Sequence, residues 1–146
     1  MIWRSIYVEI DSGEPTLRQS LASALGLDAT RVAIVAGRNE KPPLGAFESV
    51  AETWSVRGAC RLLLHIFFIG DESIAERLDE LAFAQALADG LGCAVLLPAE
   101  DDPNPSHFIR FRPHLEPDRV SVDPNDEDEG IIRVTPTPPE YLPPGV

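Results

Sequence analysis

Hydrophobic positions along this chain fall into short runs whose period switches between two and four. Ile2, Ile6, Val8 and Ile10 share one parity, which predicts a strand over residues 2–10 with one buried face. On that pattern Trp3, Ser5 and Tyr7 point to the opposite face. Asp11-Ser12-Gly13 breaks the run, and Pro15 suits the first turn of a helix. Leu17, Leu21 and Leu25 recur every four residues and predict that helix, with Gly26 as its stop. Residues 32–36 read as a second, buried strand ended by Gly37. The Lys41-Pro42-Pro43-Leu44-Gly45 stretch predicts a loop. Residues 47–56 alternate weakly and fit an edge strand or a short helix, the alternation favouring a strand.

Residues 61–69 are the most apolar run of the chain. Nine residues long and flanked by Gly58 and Gly70, they predict a central strand. Ser73 and Glu76 have the spacing of a capping box, in which each side chain satisfies a free backbone N–H. Ile74, Leu78, Leu81, Ala84, Ala88 and Leu91 then mark one face of a single long helix, closed by Gly90 and Gly92. Residues 93–97 predict a short buried strand stopped by Pro98.

This order predicts an α+β fold with a ferredoxin-like βαββαβ plan. It is a two-layer sandwich, an antiparallel sheet with two helices on one face and the first and third strands in the middle. A doubly wound fold needs more helix–strand units than the chain offers. Beyond the core, residues 108–112 and 119–122 predict a β-hairpin extension, and residues 131–134 a further strand. The expected organisation is one domain over 1–134, with a core at 1–98 and an acidic hairpin extension at 99–134. A Pro-rich tail follows at 135–146, with five prolines and no apolar period.

Composition adds direction to this picture. The 146 residues carry 24 acids and 12 bases, a net charge of −12, and 44% are hydrophobic. That hydrophobic share excludes wholesale disorder. No apolar stretch reaches the 18 residues that would suggest a membrane span, and the first residues lack a basic-then-apolar leader, so a cytoplasmic protein is expected. Eleven arginines against one lysine reflect a GC-rich, bacterial type of genome more than a function. The charge is uneven: residues 97–146 hold 11 acids, 4 bases and 11 of the 14 prolines, a net of −7. Such acidity opposes binding to nucleic acid or anionic membrane and favours a basic protein partner. Cys60 and Cys93 are too few for a disulfide scaffold and are expected as buried, reduced thiols.

Catalytic signatures are missing. The chain has no Gly-x-Ser-x-Gly, His-Glu-x-x-His, Cys-x-x-Cys or Walker loop, so no catalytic residue and no cofactor is expected. His65, inside the apolar 61–69 run, reads as a satisfied sheet residue, and His107 and His114 as surface histidines without metal-ligand spacing. The acidic run from Asp123 meets the first positions of a calcium loop but has Asp128 where glycine is needed and Val134 where glutamate is needed, so no metal is expected. The aromatic rings of Trp3 and Tyr7 on an uncovered sheet face would suit base stacking. Against that, the RNA-binding consensus is absent and −12 repels phosphate. The hairpin, a second subunit in a homodimer or a protein partner is the expected cover for that face.

Two functions remain. The first is a small, non-enzymatic, acidic protein-binding module, of the inhibitor or immunity type that neutralises a basic toxin or nuclease. Its expected contacts are Glu100, Asp101, Asp102, Asp126, Glu127, Asp128 and Glu129. The alternative is a ferredoxin-like enzyme or small-ligand binder with a pocket lined by Tyr7, Arg61 and His65.

Overall fold

The structure, a computed structural model, describes residues 2–37, 47–69 and 73–136. The expected Lys41–Gly45 loop and the last ten residues of the expected tail lie outside these. Strand β1 spans Ile2–Val8 and is followed by helix α1 at Glu14–Leu25. As the sequence predicts, Pro15 sits in the first turn of α1, and Gly26 closes the helix in the left-handed region at φ 72°. A 3-10 turn at Ala29–Arg31, capped by the Asp28 carboxylate on the Thr30 amide, leads into β2 at Val32–Ala36.

Strand β3 covers Ser49–Ser55, so the 47–56 segment is a strand. It is not an edge. It lies between β2, to which it is parallel, and the long strand β5 at Leu62–Phe68. A two-residue strand β4 at Arg57–Gly58 separates them in the chain. The predicted 73–91 helix is two helices, α2 at Ser73–Arg77 and α3 at Glu80–Leu91. The break falls where Asp79 caps α3, its carboxylate accepting the Leu81 and Ala82 amides. A side chain that satisfies two free amides makes a helix start there better than a continuation. The break also rotates the face: Phe83, Ala84, Leu87 and Ala88 are buried, while Leu81 turns to solvent.

Strand β6 runs over Val95–Pro98, and β7 at His107–Phe111 pairs with β8 at Asp118–Val122 as the predicted hairpin. The acidic run is an ordered helix, α4 at Pro124–Asp128. The single strand expected at 131–134 divides into β9 at Ile131–Ile132 and β10 at Val134–Pro136. The last strand thus enters the segment expected as tail by two residues.

Eight strands form one mixed sheet in the order β10-β8-β7-β6-β1-β5-β3-β2, and β4 and β9 pair separately in parallel. Among the described residues the fold is mixed α+β with four α-helices, and β1 and β5 lie inside the sheet as expected. The sheet has eight strands and is not the small four-stranded sandwich of the ferredoxin-like expectation. The inserted β3 and the added β7, β8 and β10 account for the difference. No helix among the described residues is long and apolar enough to cross a membrane.

Helices α1 and α3 cover one face. Leu17, Leu21 and Leu25 meet Phe83, Ala84 and Leu87 over Ile6, Val8, Leu62, Leu64 and Ile66 of the central strands. The parity of β1 holds for Ile6 and Val8 but fails at its start. Ile2 stands opposite Phe67 and Arg4 opposite Ile66, so an irregularity of one residue sits between them. That irregularity carries Trp3 to the helix side, where its ring packs between Phe68 and Phe83, each 5.2 Å away between centroids. Ile2 is left 42% exposed, and Ile10, beyond the strand, 51%. Cys60 and Cys93 are both free and buried.

Candidate functional site

The sheet face away from α1 and α3 holds most of the chemistry the sequence singled out. Alternation along β5 puts Leu63, His65 and Phe67 on this face, and the ladder brings Ser5 and Tyr7 of β1 and Glu52 and Trp54 of β3 beside them. Ser5, His65 and Glu52 form one cross-strand row. His65 Nδ1 and Ser5 Oγ are hydrogen-bonded at 2.7 Å, so His65 is a partnered sheet residue. Glu52 accepts the indole N–H of Trp54.

The chain between β8 and β10 covers the part of this face around Tyr7. Asp123 caps α4 by accepting the Asn125 amide at 2.9 Å. The helix then aims Glu127 at the sheet, where the Tyr7 hydroxyl donates to its carboxylate at 2.6 Å. Past Gly130, Ile132 is 1% exposed and enters a second apolar cluster with Tyr7, Cys60, Leu96, Phe108, Val120 and Val122. The Arg57 and Ala59 amides bond the Gly130 and Ile132 carbonyls, tying this segment to β4. The fit is close at Gly58, with φ 94°: an added Cβ there would lie 2.4 Å from the Ile132 carbonyl oxygen. Burial, first, and the neighbouring Glu127 push the Tyr7 hydroxyl well above the usual tyrosine range. Burial likewise pushes the Cys60 thiol up to about 12, which keeps it protonated while it stays covered.

The residues of the expected pocket stand at three different places: Tyr7 lies under α4, His65 is half-buried and bonded to Ser5, and Arg61 is exposed just ahead of β5. A cavity of about 270 Å³ lies elsewhere, on the helix side at the start of α1, and Asp11, Glu14, Ile34 and Thr53 line it.

The acidic contact residues separate into three kinds. Asp128 and Glu129 are exposed on α4 and at its end, and no described residue forms an ion pair with either. Glu100 and Asp101 are also largely exposed, with Arg4 at 3.7 Å and Arg119 at 2.9 Å respectively. Asp126 pairs with Arg133 at 3.1 Å within the same segment, and Glu127 serves Tyr7. Asp102 is not a surface acid. Its side chain is 5% exposed and accepts His107 Nδ1–H at 2.6 Å, with Arg119 at 3.7 Å. It also accepts the Asn104 amide. That amide, then the His107 ring, with Arg119 adding to them, hold the Asp102 carboxyl below the usual range.

His107, expected on the surface, is buried at 7% exposure, its Nε2 facing the side-chain Nδ2 of Asn104 at 3.3 Å. His114 is exposed, as expected. The reason lies in the 99–106 loop. Two Asx turns, Asp102 on Asn104 and Asn104 on Ser106, fold the loop back on β7 and bring the dyad together. Asp and Asn two apart ahead of a strand are the trace of this in the sequence.

Comparison with known proteins was made at three levels. No protein-family model, no curated protein and no solved structure matches this chain. Function therefore rests on the geometry. Among the described residues no group of three or more His, Cys, Asp or Glu side chains is placed to hold a metal ion.

Proposed function

We propose that this chain is a small non-enzymatic binding module that presents carboxylates to a basic protein partner, in the manner of an inhibitor or immunity protein directed at a basic toxin or nuclease. The observation that supports it is the state of the acidic run. It is an N-capped helix, fixed to the sheet through Glu127 and Ile132, with Asp128 and Glu129 left facing solvent. A charge held on an ordered element meets a partner without an ordering cost and steers its approach. Glu100 and Asp101 belong to the same reading as secondary contacts, and Asp102 leaves it because it is internal. The cytoplasm is the proposed compartment. In this reading β1, β2, β5 and β6, with α1 and α3, are a ferredoxin-like scaffold into which β3 is inserted, and the C-terminal third is the functional addition.

The test compares the chain with its Asp128→Lys/Glu129→Lys variant, each immobilised and exposed to an extract of the native host at low and high salt. The reading expects a basic protein that the unaltered chain holds at low salt and releases at high salt. The variant should associate with that protein at least about tenfold more slowly. Equal recovery of the same proteins by both chains at both salts contradicts it.

A further inference from the structure

The segment between β8 and β10 has an unusual attachment. It leaves the sheet after Val122 and returns at Val134, and these two residues stand directly opposite each other in the β8–β10 ladder. The Asp123 amide bonds the Arg133 carbonyl at 3.3 Å across the same neck. Residues 123–133 are therefore an Ω-shaped loop closed at its base, a form whose ends need not move when its body does. Its body is fastened lightly. Pairing with β4 spans two residues on each side, and Arg57 and Gly58 are exposed. Among the described residues, one side chain, Ile132, reaches the apolar cluster fully buried, and one hydrogen bond, Tyr7 to Glu127, ties α4 to the sheet. Gly130, at φ 75° and with open space around it, provides a joint between α4 and β9. Five carboxylates, at Asp123, Asp126, Glu127, Asp128 and Glu129, crowd the loop against the single base Arg133. Their mutual repulsion works against a tightly closed state.

We propose that residues 123–133 form a flap that opens as a unit about the Val122–Val134 pair, baring the sheet surface around Tyr7, Cys60, Leu96 and Phe108 while the eight-stranded sheet stays folded. This follows from the loop's closed neck and light fastening and is independent of what α4 binds. Elements with few buried contacts and short ladders open well below the free energy of global unfolding.

The two cysteines are placed to report this. Cys60 lies under the flap, whereas Cys93 lies in the cluster beneath α1 and α3. In native buffer an aromatic disulfide reagent, followed by mass spectrometry of the unaltered chain, should label Cys60 at least about tenfold faster than Cys93. Tyr7→Phe should raise the Cys60 rate several-fold and leave that of Cys93 unchanged. Hydrogen exchange on the unaltered chain gives a second reading. The Arg57 and Ala59 amides, which bond the flap, should exchange ahead of those of Leu64 and Ile66 in β5. Equal labelling rates that both follow global unfolding, or equal exchange of the two amide sets, would overturn the proposal.

Discussion

The two faces of the sheet are closed by different means. On one, α1 and α3, twelve residues each, lay Leu17, Leu21, Leu25, Phe83 and Leu87 across the central strands in a continuous apolar cluster. On the other, an eleven-residue loop with a five-residue helix contributes Ile132 and a hydrogen bond from Tyr7 towards one end, and Ala33, Val35 and Val50 form a separate small buried cluster towards the other. The first face is built for stability. The second carries the acidic helix, and its cover is attached at few points. A cover with few buried contacts opens more readily than the scaffold beneath it.

That contrast should appear first in paired truncations. Leu64→Ala, on the helix side at 0% exposure, is expected to cost about 3–5 kcal/mol in urea unfolding. Ile132→Ala, equally buried but under a loop that can collapse, should cost about 2 kcal/mol and free Cys60 for labelling. Equal losses, with Cys60 protected in both, would erase the distinction between the faces.

Asp102→Asn sharpens it on a smaller scale. Asp102 has a lowered folded value, so its contribution is present above the unfolded carboxylate range near pH 4 and is lost as pH falls through the folded value. Replacement should flatten the loss of stability between about pH 5 and pH 2, measured as denaturation midpoints, and lower stability at pH 7. An unchanged acid limb would mean that the Asp102–His107 contact holds nothing. The smallest effect belongs to Asp128→Lys with Glu129→Lys, where unfolding free energy should move by no more than about 0.5 kcal/mol, because both side chains already face solvent.

The same contrast explains what could be read in the sequence. The helix side was legible because its residues repeat with the period of their elements: Leu17, Leu21 and Leu25 in α1, alternate residues in β5. The hairpin of β7 and β8 was legible for the same reason. Errors came where a local feature outranked the period. Asp79 caps a second helix start inside the predicted single helix, and an irregularity before Arg4 turned Trp3 to the other side. Strand β3 read as a strand, but its place inside the sheet depends on long-range pairing that no local pattern encodes. The candidate site was legible as charge and hidden as geometry. Among the seven acids, the Asp102–Asn104 spacing is the one trace of the carboxylate that turns inward to His107, and nothing in 126–129 distinguishes the one that meets Tyr7 from those left in water. Two-residue strands such as β4 and β9 carry no period at all, so the flap had no signature beyond its acidity.

Whether α4 is docked onto the sheet is tested most directly by a double-mutant cycle between Tyr7 and Glu127. Tyr7→Phe, Glu127→Gln and the double variant, unfolded in urea, should show a coupling of about 1 kcal/mol, with the double variant costing less than the two single losses together. Strictly additive losses would mean that the Tyr7 hydroxyl and the Glu127 carboxylate do not meet in solution, and that α4 is not held on this face of the sheet.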